Sequence, residues 1–216
     1  MIEAKGVVRS FGSLQVLKGV SIEVDTREIV AITGASGAGK STLLHILGSL
    51  DRPDAGMVTL SGIDPFSLSE KKLADFRNQR IGFVFQFHHL LPEFTAVENI
   101  LMPAFILGTP RKEAYNKAMS LLGILSLEDR ADHRPSELSG GEQQRVAVCR
   151  ALINSPDVVM ADEPSGNLDT AGAKELHHLF LRLREELGQT FIVVTHNPEL
   201  AALADRVVNM RDGLIA

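Results

Sequence analysis

Gly34-Ala35-Ser36-Gly37-Ala38-Gly39-Lys40-Ser41-Thr42 is the stretch from which the fold of this chain can be worked out. It fits the pattern G-x-x-x-x-G-K-[ST], it follows an apolar run at 28–33, and it precedes a helix-like run at 41–47. Glycines allow a backbone to curve closely around a polyphosphate because they carry no Cβ. A helix that begins near Lys40 would direct its unpaired N–H groups at that anion, and the Lys40 ammonium would reach the outer phosphates. The length and the flanks of the pattern disfavour the alternative, an ordinary glycine-rich turn.

The regions around this loop predict two kinds of sheet. Residues 1 to about 33 and residues 56–62 show the alternation and the turns of antiparallel strands. After the loop, strands alternate with helices, which predicts a parallel sheet that binds its ligands at the carboxyl ends of its strands. The runs typical of buried strands are 81–85, 157–161 and 190–195, and an amphipathic helix is expected at 173–187.

The middle of the chain has a helical character. Between residues 87 and 156 the pattern is helical with short breaks, and Ser139 and Glu142 stand at the spacing of a capping box. Gly140 and Gly141 lie at the start of that helix, where they allow close approach by another molecule. We therefore predict a single domain, 1–216, with a core formed by 1–86 and 157–216 and a helical subdomain formed by 87–156.

Composition limits the classes of protein that fit. The chain has 216 residues, of which 44% are hydrophobic and 23% charged, as expected of one globular domain. The formal net charge of -5 argues against a general nucleic-acid binder. Cys149 is the only cysteine, so no intrachain disulfide can form, and we expect a buried thiol in a reducing compartment. No apolar run is long enough to span a bilayer and no secretion signal is visible, so work at a membrane would require other chains.

Several polar residues follow the predicted strands and would meet at one edge of the sheet. Hydrolysis of a nucleoside triphosphate requires charge neutralisation, a metal ion and an oriented water. Asp162 could help Ser41 to hold Mg²⁺, and Glu163 could polarise the attacking water. Gln86 and His196 each follow an apolar strand, and both can contact a γ-phosphate. The acidic pair could instead lie in a solvated loop, and Gln86 or His196 alone is more often an ordinary loop residue.

The other histidines indicate no metal site. His88-His89 and His177-His178 are adjacent pairs, whereas two ligands on one helical face need i, i+4 spacing. We expect these residues at the surface. The sequence also lacks the Cys/His spacing of a zinc site.

Leu138-Ser139-Gly140-Gly141-Glu142 resembles the signature of the ATP-binding-cassette (ABC) ATPases, and the resemblance extends over essentially the whole chain. It implies a P-loop NTPase (RecA-like) fold: a parallel-sheet core, an antiparallel β subdomain and an α-helical signature subdomain. The other matching motifs occur in the family's order: Walker A at 34–42, the Q-loop at Gln86, Walker B at 158–163, the D-loop at 165–169 and the switch histidine at His196.

This resemblance implies ATP and Mg²⁺ as ligands. Phe11 stands where the family usually stacks a tyrosine on adenine, although it could be a core residue at a strand end. The implied catalytic residues are Glu163, His196 and Gln86. The implied metal ligands are Ser41, Gln86 and Asp162. The implied nucleotide-binding residues are Phe11, Gly34, Ala35, Ser36, Gly37, Ala38, Gly39, Lys40, Ser41, Thr42, Ser139, Gly140, Gly141 and Asp169.

The resemblance also implies a head-to-tail homodimer with two ATP molecules at its interface. In such dimers each phosphate group is held by Walker A of one chain and by the signature of the other. Ser139, Gly140 and Gly141 form a donor-rich helix start with no phosphate loop of their own, so an anion presented by a second subunit would fit there. Hydrolysis would remove this link and open the dimer.

A narrower resemblance points to a membrane partner. The stretches 86–99 and 166–169 resemble the lipoprotein-releasing transporters of bacteria with outer membranes, and related macrolide exporters and cell-division ATPases share the second stretch. The subgroup more often has threonine where Ser165 stands. This implies that an integral membrane permease docks near 87–94. The residues expected to receive it are Phe87, Leu90, Leu91 and Phe94, for which plain core packing is the alternative.

We therefore predict an ATP-hydrolysing subunit that energises a membrane complex, with release of lipoproteins from the inner membrane as the preferred function. The chain would lie peripherally on the cytoplasmic face of that membrane through its partners, and would meet lipoprotein cargo only indirectly. A regulatory ATPase of the cell-division type and an efflux ATPase similar to the macrolide exporters are the alternatives. A DNA-repair or translation ATPase is disfavoured by the single motif set and the absence of a basic excess, so no nucleic-acid partner is expected.

Overall fold

A computed structural model describes residues 1–216 as nine strands and seven α-helices. The strands are β1 (Ile2–Phe11), β2 (Leu14–Val24), β3 (Ile29–Gly34), β4 (Ala55–Leu60), β5 (Ile81–Phe85), β6 (Val158–Asp162), β7 (Thr190–Val194), β8 (Arg206–Arg211) and β9 (Leu214–Ile215). The α-helices are α1 (Lys40–Leu47), α2 (Glu70–Arg80), α3 (Ala96–Leu107), α4 (Arg111–Ile124), α5 (Gly140–Leu152), α6 (Thr170–Leu187) and α7 (Pro198–Leu203). Short 3-10 helices lie at Pro65–Ser67, Glu128–Arg130 and Pro135–Glu137.

The strands form two separate sheets. Three of them make an antiparallel sheet in the order β2-β1-β4, and six make a larger sheet in the order β5-β6-β7-β3-β8-β9. In the larger sheet β5, β6, β7, β3 and β8 are parallel, and only β9 runs antiparallel. This architecture confirms the predicted α/β fold class with its parallel core and its antiparallel subdomain.

The register of the parallel strands aligns their carboxyl ends. Asp162, the last residue of β6, pairs with Phe85 on one side and with Val194 on the other. The residues that follow these strands therefore leave the sheet at the same edge. The phosphate loop follows β3, which lies beside β7, so it opens at this edge too.

A hydrophobic core covers each face of the larger sheet. Val159 packs among residues of α3 to α6, whereas its neighbours Val158 and Met160 pack with the antiparallel sheet and α1. Burial on both faces explains why these strands have continuous apolar sequences. On the helical side, Phe180 of α6 stacks on Phe191 of β7 with ring centroids 4.7 Å apart. Such a pair adds about 0.5–1.5 kcal/mol beyond the burial of its area.

Helix α3 is an element that the sequence pattern did not delimit. It begins at a capping box in which Thr95 and Glu98 bond each other's backbone N–H groups, and it continues through Pro103. Buried Asn99 follows that first turn, and its side chain bonds the backbone of Leu91, Phe94 and Thr95. This single amide thereby fixes the irregular segment that precedes the helix.

The segment 87–156 contains α3, α4 and α5, and the core elements lie before and after it in the chain. Division of the chain at 86/87 and 156/157 stays a prediction. None of the helices combines the length and the hydropathy that a membrane span requires. Cys149 is fully buried on α5, and burial raises the pKa of its thiol, so its thiolate form is disfavoured.

Candidate nucleotide site

The phosphate loop is shaped by its close contact with β8. Gly34 pairs with Met210, and its φ is +141°. A Cβ placed on Gly34 would lie 2.1 Å from the carbonyl oxygen of Met210, so no side chain fits. Helix α1 begins at Lys40, whose Nζ donates to the carbonyl oxygens of Gly34 (2.9 Å) and Ala35 (3.0 Å). The ammonium thus lies over the curved loop, where an anion would bind.

We predict that Gly34→Ala lowers the free energy of unfolding by roughly 3 kcal/mol, because the new methyl group must displace a backbone carbonyl in a strained conformation. Gly37→Ala is the matched control, since Gly37 also has a positive φ of +78° but has open space around it. Its cost should be about 1 kcal/mol of strain. Denaturant unfolding monitored by circular dichroism measures both. Equal destabilisation of the two variants would contradict the role of the Met210 contact.

A cleft of about 640 Å³ extends from the loop along the carboxyl edge of the sheet. This volume is in the range of small-molecule and cofactor sites. Phe11, whose surface is 51% exposed, contributes to its wall. The residues that line the cleft are Phe11, Leu14, Val16, Gly34, Ser36, Gly37, Gly39, Lys40, Ser41, Thr42, Gln86, Glu163, Val194 and His196.

Ser41 and Asp162 meet across this edge. The hydroxyl group of Ser41 donates to Oδ1 of Asp162 at 3.2 Å. Burial raises the pKa of the Asp162 carboxyl group, because the charged form loses solvation that nearby groups only partly replace. A hydroxyl oxygen and a carboxylate in need of positive charge form a pair suited to a hard cation.

Glu163 and His196 form a second pair. Nδ1 of His196 lies 2.8 Å from Oε2 of Glu163, and the backbone N–H of His196 donates to the same oxygen at 3.3 Å. Glu163 has a positive φ of +47°, which is uncommon for a residue other than glycine. Its N–H donates to the carbonyl oxygen of Val194 at 2.9 Å, so β7 stabilises this conformation. The strained backbone turns the Glu163 side chain toward the cleft.

Gln86 is held by the loop that follows β6. Its Nε2 donates to Oδ1 of Asn167 at 2.9 Å, and Nδ2 of Asn167 donates to the carbonyl oxygen of Gln86 at 3.1 Å. The sequence identified both residues as parts of motifs but gave no sign that they bond each other. This reciprocal pair joins the residue after β5 to the loop that follows β6.

The start of α5 lies apart from the cleft. Ser139 and Glu142 form the predicted capping box, with Oε2 of Glu142 accepting from the Ser139 N–H at 2.8 Å. The first N–H groups of a helix have no backbone partner within it. Here the N–H of Ser139 is bonded by Glu142, and those of Gly140 and Gly141 remain without a partner. A Cβ added to Gly140 would meet only Leu168, at 3.9 Å. The chain itself therefore leaves this donor-rich end open.

Comparisons with known proteins identify the family. A family profile described as "ABC transporter" matches residues 17–166. This chain belongs to the ABC transporter family.

Two relatives and two solved structures illustrate this membership. The chain is 59% identical over 215 residues to the lipoprotein-releasing system ATP-binding protein LolD of Porphyromonas gingivalis, with 100% of this chain and 98% of the relative covered. It is 59% identical to the same-named protein of Bacteroides thetaiotaomicron, with coverage of 100% and 99%. It resembles the dimeric structure of MJ0796, a bacterial ABC transporter cassette, with a TM-score of 0.90, 38% identity and coverage of 100% and 96%. A post-hydrolysis state of that cassette bound to ADP and Pi gives a TM-score of 0.88 at 37% identity, with the same coverage.

The chain is thus an ABC ATPase, which confirms the predicted family, fold class and enzyme class. Its similarity to the lipoprotein-releasing ATP-binding proteins over the whole chain places it in their group and favours that prediction over the two alternatives.

The structure of the ABC ATPase brings most of the sequence-predicted residues together. Phe11, Gln86, Glu163 and His196 line one cleft with the phosphate loop, and Asp162 bonds Ser41 beside it. Within the loop, the carbonyl oxygen of Ala35 accepts a hydrogen bond from Lys40, and Ala38 is buried. Four predicted nucleotide-binding residues belong neither to the phosphate loop nor to the lining of the cleft: Ser139, Gly140, Gly141 and Asp169. In the single chain, Asp169 caps α6 by accepting from the N–H of Gly172 at 2.9 Å.

The prediction of surface positions for the histidine pairs was wrong for His177. This residue is fully buried on α6, and its Nε2 lies 3.1 Å from the hydroxyl oxygen of Ser165. Burial lowers the pKa of His177, so the neutral form is favoured. The amphipathic pattern of α6 places position 177 beside Leu176 and Phe180 on the inner face of the helix. This pattern could have predicted that His177 is buried. His177 and Ser165 connect α6 with the loop that carries Asn167.

The capping box of this ABC ATPase gives its stability a pH dependence. Hydrogen bonds from the Ser139 N–H and from Arg130 lower the pKa of Glu142 from 4.5 to about 2. A folded-state pKa below the unfolded value means that the contribution is fully present above about pH 4.5 and disappears as the pH falls towards 2.

We therefore expect Glu142→Gln to lower the free energy of unfolding at neutral pH, and we expect this effect to shrink below about pH 4.5 and to be largely gone at about pH 2, where the parent carboxylate becomes protonated. Glu186→Gln is the control, because Glu186 is exposed and forms no hydrogen bond or ion pair. Denaturant unfolding over this pH series measures the effect. A destabilisation by Glu142→Gln that stays constant with pH would show that the carboxylate charge does not contribute.

Proposed function

We propose that this ABC ATPase works as a homodimer that energises the release of lipoproteins from the inner membrane through integral membrane partners. Its full-length similarity to the lipoprotein-releasing ATP-binding proteins is the observation that carries this proposal. The geometry of the cleft supplies the chemistry. The chain would lie on the cytoplasmic face of the membrane, held by its partners.

ATP would bind with its adenine against the exposed ring of Phe11 and its phosphates in the loop at 34–42. The loop and the start of α1 supply backbone N–H groups and a positive dipole end. Lys40 would exchange the two carbonyl oxygens that it now bonds for oxygens of the outer phosphates. These groups bind and orient the nucleotide, but they do not break its bonds.

Mg²⁺ would be held by Ser41, Asp162 and Gln86. The donor set fits this ion, since Mg²⁺ prefers oxygen ligands and few protein carboxylates. The Gln86 amide nitrogen is engaged with Asn167, which leaves the amide oxygen for the metal or for its bound water. When bound, Mg²⁺ supplies positive charge to the β- and γ-phosphates.

Glu163 would orient the attacking water and accept its proton. Its carboxylate lies at the cleft and is fixed by two contacts to His196. Nδ1 of His196 faces Glu163, so Nε2 is the ring nitrogen left for the γ-phosphate. It would donate a hydrogen bond there in the doubly protonated ring, in which both nitrogens are donors. Attack of the water on the γ-phosphate forms inorganic phosphate and leaves ADP.

A second copy of the chain would complete each site. The open N–H groups at Gly140 and Gly141 need an anion, and the γ-phosphate on a partner's phosphate loop supplies one. Two ATP molecules would then join two chains, and Asp169 would lie near the interface through the loop that it terminates. Hydrolysis would weaken the dimer and drive movement of the attached membrane subunits.

An apolar surface beside the cleft is suited to the membrane partner. Phe87, Leu91 and Phe94 are exposed, whereas Leu90 is partly buried against the core. They adjoin a groove of about 360 Å³ that includes Phe85 and Ile106. The residues of the groove are Leu50, Ala74, Arg77, Asn78, Ile81, Gly82, Phe83, Phe85, Pro103, Ile106, Arg150, Ala151 and Asn154.

The groove and the exposed segment are physically connected. Arg150, which lines the groove, donates to the carbonyl oxygens of His88 and His89 at 2.7 Å each. Phe85 contacts the His89 ring edge-to-face at a centroid distance of 5.6 Å. An amphipathic helix of the permease would insert apolar residues here, next to Gln86 of the nucleotide site. Nucleotide state and membrane-subunit position would thus be coupled at one strand end.

We predict that Ile106→Ser weakens co-purification of the membrane subunits at least fivefold, because Ile106 is 73% exposed at the groove and would be buried in the complex. Leu187→Ser is the matched control, since Leu187 is 47% exposed at the end of α6, away from the groove. Both variants should keep the ATPase rate of the isolated chain. The tagged chain is purified in mild detergent, and the membrane subunits are identified and quantified by mass spectrometry. If both variants lose the membrane subunits to the same extent, or if neither variant loses them, this surface is not the docking site of the permease.

The transported substrate is tested with the purified complex in lipid vesicles. Addition of a triacylated lipoprotein should raise the ATPase rate, and the lipoprotein should leave the vesicles only when ATP is present. A delipidated form of the same protein is the control. A complex that hydrolyses ATP without releasing lipoprotein would exclude this function and favour the regulatory or efflux alternative.

A further inference from the structure

Arg9 lies behind Phe11, on the first strand of the antiparallel sheet. Its guanidinium carbon is 4.8 Å from the centroid of the Phe11 ring. This distance is well within the range of a cation–π contact. Phe11 nevertheless keeps 51% of its surface exposed and lines the nucleotide cleft. The ring therefore has a cation against it and still presents surface to the cleft.

Two carboxylates hold Arg9 in this position. Asp51 accepts from Nε at 3.0 Å and from Nη2 at 2.8 Å, and Asp54 accepts from Nη1 at 2.9 Å. The second oxygen of Asp54 accepts from the backbone N–H of Ser10 at 2.6 Å. Only 22% of the Arg9 side chain is exposed. The planar, bidentate arrangement fixes the guanidinium far better than a single surface ion pair would.

The same contacts reach the helix that follows the phosphate loop. Asp51 lies just beyond α1, and its backbone N–H donates to the carbonyl oxygen of His45 at 3.2 Å. Helix α1 begins at Lys40, in the phosphate loop. Arg9 thus links the Phe11 ring to the far end of the helix whose first turn faces the phosphates. The base and the phosphates of a bound nucleotide would therefore contact Phe11 and the start of α1, which Arg9 and Asp51 connect to each other.

We propose that Arg9 is a positioning residue for the base of ATP. It fixes the ring of Phe11 in the orientation that the base requires. Its charge also draws electron density from the ring, which strengthens stacking of an electron-rich purine on the free face. This inference rests on the proposed function, in which adenine contacts Phe11. It predicts that Arg9 affects binding of the base and not binding of the phosphates.

Binding of ATP is therefore compared with binding of inorganic tripolyphosphate, which has no base, by titration calorimetry of the full chain with Mg²⁺. We expect Arg9→Met to weaken ATP binding about three- to tenfold, the size of a partly desolvated cation–π contact, and to change tripolyphosphate binding less than twofold. Arg52→Met is the matched control, because the Arg52 guanidinium lies 5.4 Å from the centroid of the Phe66 ring, and neither residue lines the cleft. It should change neither affinity.

Phe11→Ala separates this inference from the function on which it rests. It should also weaken binding of ATP without weakening binding of tripolyphosphate, and the effect of Arg9→Met should disappear in the Phe11→Ala background because the two residues act as a unit.

The outcomes distinguish the two proposals. If Phe11→Ala weakens only ATP binding but Arg9→Met does not, the role of Arg9 is refuted and the base site at Phe11 is retained. If Phe11→Ala weakens both ligands equally, the base site itself is wrong. Equal weakening of both ligands by Arg9→Met would assign Arg9 a purely structural role. Should Arg9→Met fail to fold, Arg9→Gln removes the charge but keeps a polar side chain that can still bond Asp51 or Asp54, and the same comparison of ATP with tripolyphosphate applies to it.

Discussion

Glu163→Gln should abolish most of the ATPase activity while preserving ATP binding. Glutamine has the same shape and can still contact His196, but it cannot accept a proton from water. General-base groups of this kind contribute roughly 10²- to 10⁴-fold, so we expect a decrease in kcat of that size with a KM near the parental value. Phosphate release measures the rate, and calorimetry measures the affinity for ATP.

The same variant should accumulate an ATP-dependent dimer. If two ATP molecules join two chains, blocking hydrolysis preserves the link, and the dimer becomes visible by size-exclusion chromatography in ATP but not in ADP. Glu186→Gln, at an exposed position of α6, should behave like the parent. If Glu163→Gln hydrolyses ATP at the parental rate, Glu163 does not accept the proton of the attacking water. A variant that binds ATP but stays monomeric at every protein concentration would contradict the shared site.

Gly140→Asp should eliminate hydrolysis without harming the fold. A Cβ at this position meets only Leu168 at 3.9 Å, so the side chain has room. A negative charge in the first turn of a helix stabilises it, by about 0.5 kcal/mol. The same charge would repel the γ-phosphate of ATP on a partner. We therefore expect unchanged or slightly higher stability together with a loss of at least roughly 10²-fold in ATPase rate.

Mixing this variant with Lys40→Ala tests whether the site is shared between chains. Each variant alone should be inactive. In a mixed two-fold dimer, the intact loop of the Gly140→Asp chain meets the intact signature of the Lys40→Ala chain, so one of the two sites is complete. Random pairing should restore about a quarter of the parental activity, because half of the dimers are mixed and each has one good site.

Two observations would argue against this arrangement. If the mixture stays as inactive as its components while both variants fold and bind each other, the site is not completed in trans. If Gly140→Asp alone retains parental activity, the open end of α5 has no part in hydrolysis. Cross-linking after mixing establishes that mixed dimers have formed, and thermal unfolding establishes that each variant is folded.

The local elements of the site could be predicted because each depends on short-range chemistry. The loop at 34–42 requires glycines at fixed positions, and Gly34 is indeed confined by Met210. The capping box of Ser139 and Glu142 needs only three residues of spacing, and the structure contains it. Buried parallel strands have continuous apolar sequences, so the runs ending near Gln86, Asp162 and His196 could be recognised.

Other features depended on contacts between distant parts of the chain. Helix α3 was not delimited, because Pro103 argues against a helix in sequence while the capping box at Thr95 and packing against α5 stabilise one in the fold. His177 was expected at the surface, because an adjacent pair of histidines lacks the i, i+4 spacing of two metal ligands on one helical face. Its position on the inner face of α6 and its bond to Ser165 bury it instead.

The sequence by itself determined the order of the motifs and, through their resemblance to known signatures, the family. It also determined the residue types that ATP hydrolysis needs, because those follow from glycine freedom, charge and hydrophobic pattern along short segments. Tertiary structure alone decided which of these residues meet. It paired Glu163 with His196 and Gln86 with Asn167, placed Arg9 behind Phe11, and left Ser139 and its glycines outside the cleft of their own phosphate loop. The reason is the parallel sheet, whose register brings distant strand ends to a single edge, while α5 packs against β5 and the other helices and its first residues do not line the cleft at that edge.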